Sequence, residues 1–417
     1  MKKLVISGGK ELSGEIHIGG AKNSIVALIP ASILTSGKCV IRNVPDISDV
    51  HALIEIMEEL GSKISYENEV MTIDNKNVKN TLISEEYTRK LRASYYFMAS
   101  LIGKYNKVEI ANPGGCVIGS RPIDFTLNSL SKMGVTVKEK EGIYDMKAKN
   151  LSGNDIFFDV PSVGATINVM IAAVLAKGTT RILNAAREPE IINVADFLIS
   201  MGAKIEGAGT GTIVITGVEK LGDGEITTIP DRIEAGTYII IGALLGNKLK
   251  ITGVVRDHLE SLLNKLSDAG VKYKLTGDTI ELNKTKKLKP INIKTTVFPG
   301  FPTDLGQPMS TFLTQCDGEC KFEETIYENR LRHIPHLVSM GAHINAFEKT
   351  AVINGPTKLR GRRVKATDLR AGASMLVAGL IADKKTTITN IEHLLRGYEN
   401  LVKKLNNVGA DIQLIDE

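Results

Sequence analysis

Cys116 stands in the run PGGCVIGSRPID, Pro113–Asp124, between glycines and five residues before Arg121. Gly114, Gly115 and Gly119 allow tight turns and a close backbone approach to a ligand. A thiol beside a cation in such a loop ionises more readily and can serve as an acid or a nucleophile. Cys39, Cys316 and Cys320 lie in apolar surroundings, where a free cysteine is a small core filler. Single basic residues recur elsewhere, at Lys22, Arg92, Arg187, Arg256, Arg330, Arg370 and Arg396. Dispersed in this way they suit a polyanionic small molecule better than a nucleic-acid stripe.

The elements that must hold these residues repeat. The pattern LGSKI, MGVTV, MGAKI, AGVKY, MGAHI and VGADI centres on Gly61, Gly134, Gly202, Gly270, Gly341 and Gly409, spaced 68 to 73 residues apart. Each glycine stands where a helix ends in a left-handed residue before a strand. Upstream come an apolar helix, a strand and a second helix, so the chain reads as six βαβαββ units. A chain of 417 residues exceeds one core, and three units per domain is the natural division. Domains are expected at 22–229 and at 1–21 plus 230–417, the first 21 residues reading as a strand recruited by the C-terminal domain.

Aligned on their glycines, the first helices open at Lys22–Asn23, Arg92, Ser162, Glu234, Asp304 and Arg370, 36 to 42 residues upstream. Arg121, Arg187, Arg256, Arg330 and Arg396 lie near the starts of second helices. Ser162, Glu234 and Asp304 are expected as caps or dipole partners. Arginine and lysine at a helix N-terminus gain nothing from the dipole, so the basic set reads as an anion trap. Contributed by both halves, the trap is expected in the cleft between domains.

Composition narrows the class. Net charge is +5 and aromatics form only 5% of the chain, which argues against stacking on single-stranded nucleic acid. No apolar run reaches membrane-span length, and MKKLVISGGKEL is too short for a signal peptide. Four scattered cysteines form no disulfide framework, so a reducing cytoplasm is expected. Cys316-x3-Cys320 and His333-x2-His336 lack a further ligand pair and are assigned packing and surface roles rather than a metal.

Taken together, PGGCVIGSRPID, AKNS, LRAS, PSVGAT, AAREPEI, FPTD, ENR, TDLRAGA and RGYE resemble the UDP-N-acetylglucosamine 1-carboxyvinyltransferase (enolpyruvyl transferase) family along the whole chain. The resemblance implies an α/β fold of two inside-out barrels. The implied reaction transfers enolpyruvyl from phosphoenolpyruvate to the sugar, the first committed step of peptidoglycan synthesis. Neither cofactor, metal, nucleic acid nor membrane takes part, and fosfomycin would attack the loop thiol. By resemblance Cys116 protonates the methylene carbon, Asp304 is the base at the 3-hydroxyl, and Lys22 and Arg396 join them in catalysis. Lys22, Asn23, Arg121 and Arg396 would bind phosphoenolpyruvate, chiefly its phosphate, with Arg330 and Arg370 nearer its carboxylate. Asn23, Arg92, Arg121, Pro122, Ile123, Asp124, Phe125, Ser162, Gly164, Asp304 and Ile326 would hold UDP-N-acetylglucosamine. Many members have lysine where this chain has Val160 and Ser48; the first puts an ionic contact near the diphosphate in doubt, and the second removes a basic residue near the first-unit loop. A shikimate 3-phosphate enolpyruvyl transferase shares the fold but lacks the PGGC loop, and an inactive paralogue would not need Lys22, Cys116, Asp304 and Arg396.

Overall fold

The computed structural model describes residues 2–113 and 123–416, the side chains of Lys90 and Arg92 excepted. The described residues divide into two compact units, one of 2–19 with 230–416 and one of 20–113 with 123–229. Each has its own apolar core. Both mix helices with small sheets, an α/β architecture.

Apolar content on every face decides where the first helix of each repeat goes. A helix with no polar stripe has nothing to offer solvent and is driven inside. All fourteen residues of Arg232–Leu245 are buried, and so is nearly all of Thr303–Leu313 and Leu369–Ile381. These three pack on one another at the centre of their unit. Gly236 lets two of them approach, because a Cβ there would lie 2.5 Å from Leu305. In the other unit Tyr96–Tyr105 packs against both Lys22–Ala31 and Val163–Ala173, again largely buried. Second helices, such as Ser48–Glu59 and Glu260–Asp268, bury one stripe and face solvent with the other.

Among the described residues, five four-stranded sheets and one three-stranded sheet surround these helices. Each four-stranded sheet has one parallel pair and two antiparallel pairs, for instance Leu12–His17 beside Gly246–Thr252 and Gly224–Thr227 beside Lys38–Arg42. In the three-stranded sheet a single parallel bridge, Ile83 to Ile110, stands in place of the fourth strand. The first 21 residues form two strands rather than one. Lys2–Ser7 joins Lys385–Thr389 and Ile412–Asp416, whereas Leu12–His17 joins a different sheet of the same unit. The Gly8–Gly9 pair parts them, and Gly9 adopts φ +80°.

The repeated glycines take the conformation their spacing predicts. Gly61, Gly134, Gly202, Gly270, Gly341 and Gly409 all have φ between +88° and +104°. An L-residue resists that region, so one residue type recurs there.

Candidate active site

Asp304 occupies the second position of Thr303–Leu313 and does not cap it. Its carboxylate is held by two guanidiniums, Arg330 through Nη2 at one oxygen and Arg370 through Nη2 at the other, 2.9 Å away. Arg330 and Arg370 are almost wholly buried, while the Asp304 side chain keeps about a quarter of its surface exposed, at 24%. Burial works against the charge on Arg370. The carboxylate of Asp304, with Tyr398 and Asp231, outweighs it and raises the Arg370 pKa.

Each arginine also lies over a ring. The Arg330 guanidinium is 5.5 Å from the Tyr327 centroid and that of Arg370 is 5.9 Å from Tyr398. Buried Tyr398 is anchored in turn by a 2.9 Å hydrogen bond with Thr237. Gln307, one turn beyond Asp304, donates to the Arg330 carbonyl at 2.9 Å. Asp368 caps the helix that carries Arg370, accepting from the N–H groups of Arg370 and Ala371 at 2.9 and 3.0 Å. Even so, Arg330 Nε and Arg370 Nη1 are buried without a hydrogen-bond partner among the described residues. Unsatisfied buried donors are uncommon and need a reason.

Ile326 sits on the neighbouring turn and is half-buried. Its N–H donates to Glu324 at 2.7 Å, and Glu324 accepts from the hydroxyl of Thr303 at 2.8 Å. This turn is thereby fixed to the helix start that bears Asp304. Arg396 is half-buried in the segment between Glu392–Leu395 and Leu401–Asn407, two residues before Tyr398.

Glu234 likewise lies in the first turn of its helix, where a dipole partner stands, without capping it. Asp231, three residues earlier and extended, takes that role, accepting from Ile233 and Glu234 N–H groups at 2.8 and 3.0 Å. The Glu234 carboxylate instead receives Lys404 at 2.8 Å and the Gly19 N–H at 3.1 Å. Burial, opposed by Lys404, raises its pKa to about 7. Ser162 does cap Val163–Ala173, accepting from Ala165 N–H at 3.3 Å.

Within the unit from Gly20 to Ile229, Lys22 opens Lys22–Ala31 and places its ammonium 2.8 Å from buried Asp49. Neighbouring Asn23 is half-buried. Gly164 lies against the Tyr95 hydroxyl, so that a Cβ there would clash at 2.1 Å, and Tyr95 stacks on Tyr96 at 4.4 Å. Asp124–Lys132 begins with exposed Asp124. Half-buried Ile123 and Phe125 flank it, and Phe125 meets Phe158 edge-on at 6.1 Å. Cys116, Arg121 and Pro122 lie outside the described residues, as does the Arg92 side chain. Ser48 is exposed beside Asp49, and Val160 is exposed at 55%.

Cys39, Cys316, Cys320 and His333 behave as interior residues. Burial pushes the Cys39 thiol up to about 12. Cys316 and Cys320 are buried, and the Cys316 thiol donates to the Phe312 carbonyl at 3.9 Å. Burial lowers His333 to about 4, keeping it neutral. No group of three or more metal-ligating side chains occurs among the described residues. Nor is any described helix long and apolar enough to cross a membrane.

A family model described as EPSP synthase (3-phosphoshikimate 1-carboxyvinyltransferase) matches residues 6–405. A Streptococcus pyogenes protein named UDP-N-acetylglucosamine 1-carboxyvinyltransferase 2 is 49% identical over 419 aligned residues, covering 100% of both chains. This chain belongs to the UDP-N-acetylglucosamine 1-carboxyvinyltransferase family. Its similarity extends to a Listeria monocytogenes protein of the same name, 47% identical over 98% of this chain and 97% of the other. Among solved structures, the enolpyruvyl transferase NikO from Streptomyces tendae matches with a TM-score of 0.91 and 28% identity over 99% of each chain. The fold of this carboxyvinyltransferase family member is therefore that of the enolpyruvyl transferases.

Sequence reasoning overlooked Asp49, Thr237, Gln307, Asp368 and Tyr398. Two of these carried a signal. Asp368 stands two residues before Arg370 in TDLRAGA, the spacing of an N-cap, and Tyr398 lies inside RGYE. Asp49, Thr237 and Gln307 show none, because their roles depend on residues distant in the chain.

Proposed function

We propose that this chain transfers the enolpyruvyl group of phosphoenolpyruvate to the 3-hydroxyl of UDP-N-acetylglucosamine and releases phosphate, the first committed step of peptidoglycan synthesis. Full-length identity to relatives bearing that activity in their names is the observation that carries it. Small molecules are its partners and the cytoplasm its place of work.

Adding an alcohol across the enol phosphate needs a proton delivered to the methylene carbon and a proton removed from the hydroxyl, and elimination then takes a proton back from that carbon as phosphate leaves. Cys116 is assigned the first transfer and Asp304 the second. Lys22, Asn23, Arg121 and Arg396 are assigned to phosphoenolpyruvate, with Arg330 and Arg370 facing its carboxylate. Arg92, Pro122, Ile123, Asp124, Phe125, Ser162, Gly164 and Ile326 are assigned to the nucleotide sugar.

The ion pairs suggest how Asp304 becomes a base. A carboxylate clamped by two arginines is a poor proton acceptor. The substrate carboxylate would compete for the same guanidiniums and satisfy the orphan donors at Arg330 Nε and Arg370 Nη1. Asp304 would then be released to accept the hydroxyl proton. Lys22 is likewise held by a carboxylate, Asp49.

Phosphate release from phosphoenolpyruvate, with UDP-N-acetylglucosamine or shikimate 3-phosphate as acceptor, tests the reading. Release with the nucleotide sugar alone is expected. Release with the shikimate ester alone would overturn the acceptor assignment, and release with neither would leave an inactive paralogue.

A further inference from the structure

A second cationic site lies apart from the residues assigned above. Ser339–Gly341, at the end of the helix Ile334–Ser339, and the segment Pro356–Arg362 line a cavity of about 340 Å³. Its walls carry Lys358, Arg360 and Arg362 with His343 beside them, and no acidic residue lines it. From Thr357 to Lys365 the sequence reads TKLRGRRVK, five basic residues in nine, whereas Lys and Arg total 52 of 417 overall. The concentration is local.

Ordinary structural needs do not use up these charges. The end of a six-residue helix is favoured by one nearby cation, and the Met340 carbonyl already accepts the Arg360 backbone N–H at 2.8 Å. Lys358 has a distant partner in Asp383, 3.8 Å away. Arg360 and Arg362 have no ion-pair partner among the described residues. Buried Leu359 and Val364 anchor the strip, while Lys358, Arg360 and Arg362 stand exposed. Like charges in a concave site repel one another and focus positive potential on whatever enters.

We infer that this cavity is a binding site for a small di- or triphosphate anion. Guanidinium forks match phosphate oxygens in pairs, and two of them with a lysine and a histidine suit several phosphates rather than one. The volume is at the lower end of small-molecule pockets. No Phe, Tyr or Trp lines the cavity, so it offers no platform for stacking the bases of single-stranded nucleic acid. The site is independent of the substrate reading, because none of its residues belongs to that assignment.

The test is isothermal titration of inorganic tripolyphosphate into the full chain saturated with UDP-N-acetylglucosamine, repeated with R360S/R362S. These side chains are exposed, and an unchanged thermal midpoint would verify the fold of the variant. Saturable binding by the natural chain, weakened about tenfold or more in the variant, is expected from losing two charge-assisted contacts. Turnover without tripolyphosphate should be equal in the two proteins. Equal affinity in the variant would overturn the proposal, as would absence of saturable binding at millimolar tripolyphosphate. Binding of a poly(U) RNA in place of tripolyphosphate would also overturn it.

Discussion

Arg370 and Asp304 sit 66 positions apart in the chain and 2.9 Å apart in the structure. The pair is asymmetric. Arg370 is 3% exposed, whereas Asp304 retains a quarter of its surface, so the carboxylate is the member that a ligand can reach. Arg330 completes the clamp from a turn that shares no secondary-structure element with either residue.

Asp304→Asn is expected to separate binding from chemistry. Loss of a general base lowers turnover by about 10²–10⁴-fold. Removing the internal carboxylate leaves both arginines available, so phosphoenolpyruvate should bind at least as tightly as before. Equilibrium binding alongside single-turnover rates checks this. Parallel loss of affinity and rate would show that Asp304 does not compete with the substrate.

Asp304→Ala should also destabilise the fold by on the order of 3 kcal/mol, because it strands two buried guanidiniums. The partial exposure of Asp304 keeps the effect at the lower end of that range. Chemical denaturation in the absence of substrate measures it, and added phosphoenolpyruvate should restore part of the loss.

Tyr398→Phe retains the ring beneath Arg370 and removes only the hydroxyl bonded to Thr237. Thr237 still donates to the Ile233 carbonyl at 2.9 Å, so the expected loss is about 1 kcal/mol with near-normal turnover. Tyr398→Ala also removes the support of Arg370 and should cost about 4 kcal/mol while raising the KM for phosphoenolpyruvate. Equal KM values in the two variants would remove the ring from Arg370 positioning.

Two buried groups give stability opposite slopes with pH. Glu234, raised to about 7, binds more protons folded than unfolded, so its contribution is present below its unfolded value and is lost as pH rises towards 7. His333, lowered to about 4, does the reverse, contributing at neutral pH and losing that contribution as pH falls from about 6.5 towards 4. Each shift corresponds to about 3 kcal/mol at most. Denaturation profiles of Glu234→Gln and His333→Gln against the natural chain, from pH 4 to 8, should differ in opposite directions. Parallel profiles would contradict both assignments.

Two of the repeat glycines should differ in their tolerance of a methyl group. At Gly202, φ is +104° and nothing lies within 4 Å of a Cβ, so Gly202→Ala should cost about 1 kcal/mol from backbone strain alone. At Gly61 a Cβ would also meet the Asn77 carbonyl at 2.5 Å, so Gly61→Ala should cost measurably more. Denaturation midpoints of the two variants provide the comparison.

Local rules were sufficient for much of this chain. The positive φ of the six glycines follows from residue type and position, and the central helices are buried because their sequences have no polar stripe. The resemblance carried by Cys116, Asp304 and their neighbouring motifs reached the family as well. Caps were harder to assign. Glu234 and Asp304 do stand in the first turns of their helices, the place of a dipole partner, but the capping positions belong to Asp231 and Pro302 just ahead of them.

The order of the units, the helices that would be buried and the types of residue at their ends were thus determined by the sequence itself. Only the tertiary structure decided which charges meet. Glu234 found Lys404, Lys22 found Asp49, and Asp304 found two arginines from separate repeats. The reason is physical: helix and turn preferences act over a few residues, whereas an ion pair depends on where the packed core brings distant segments together.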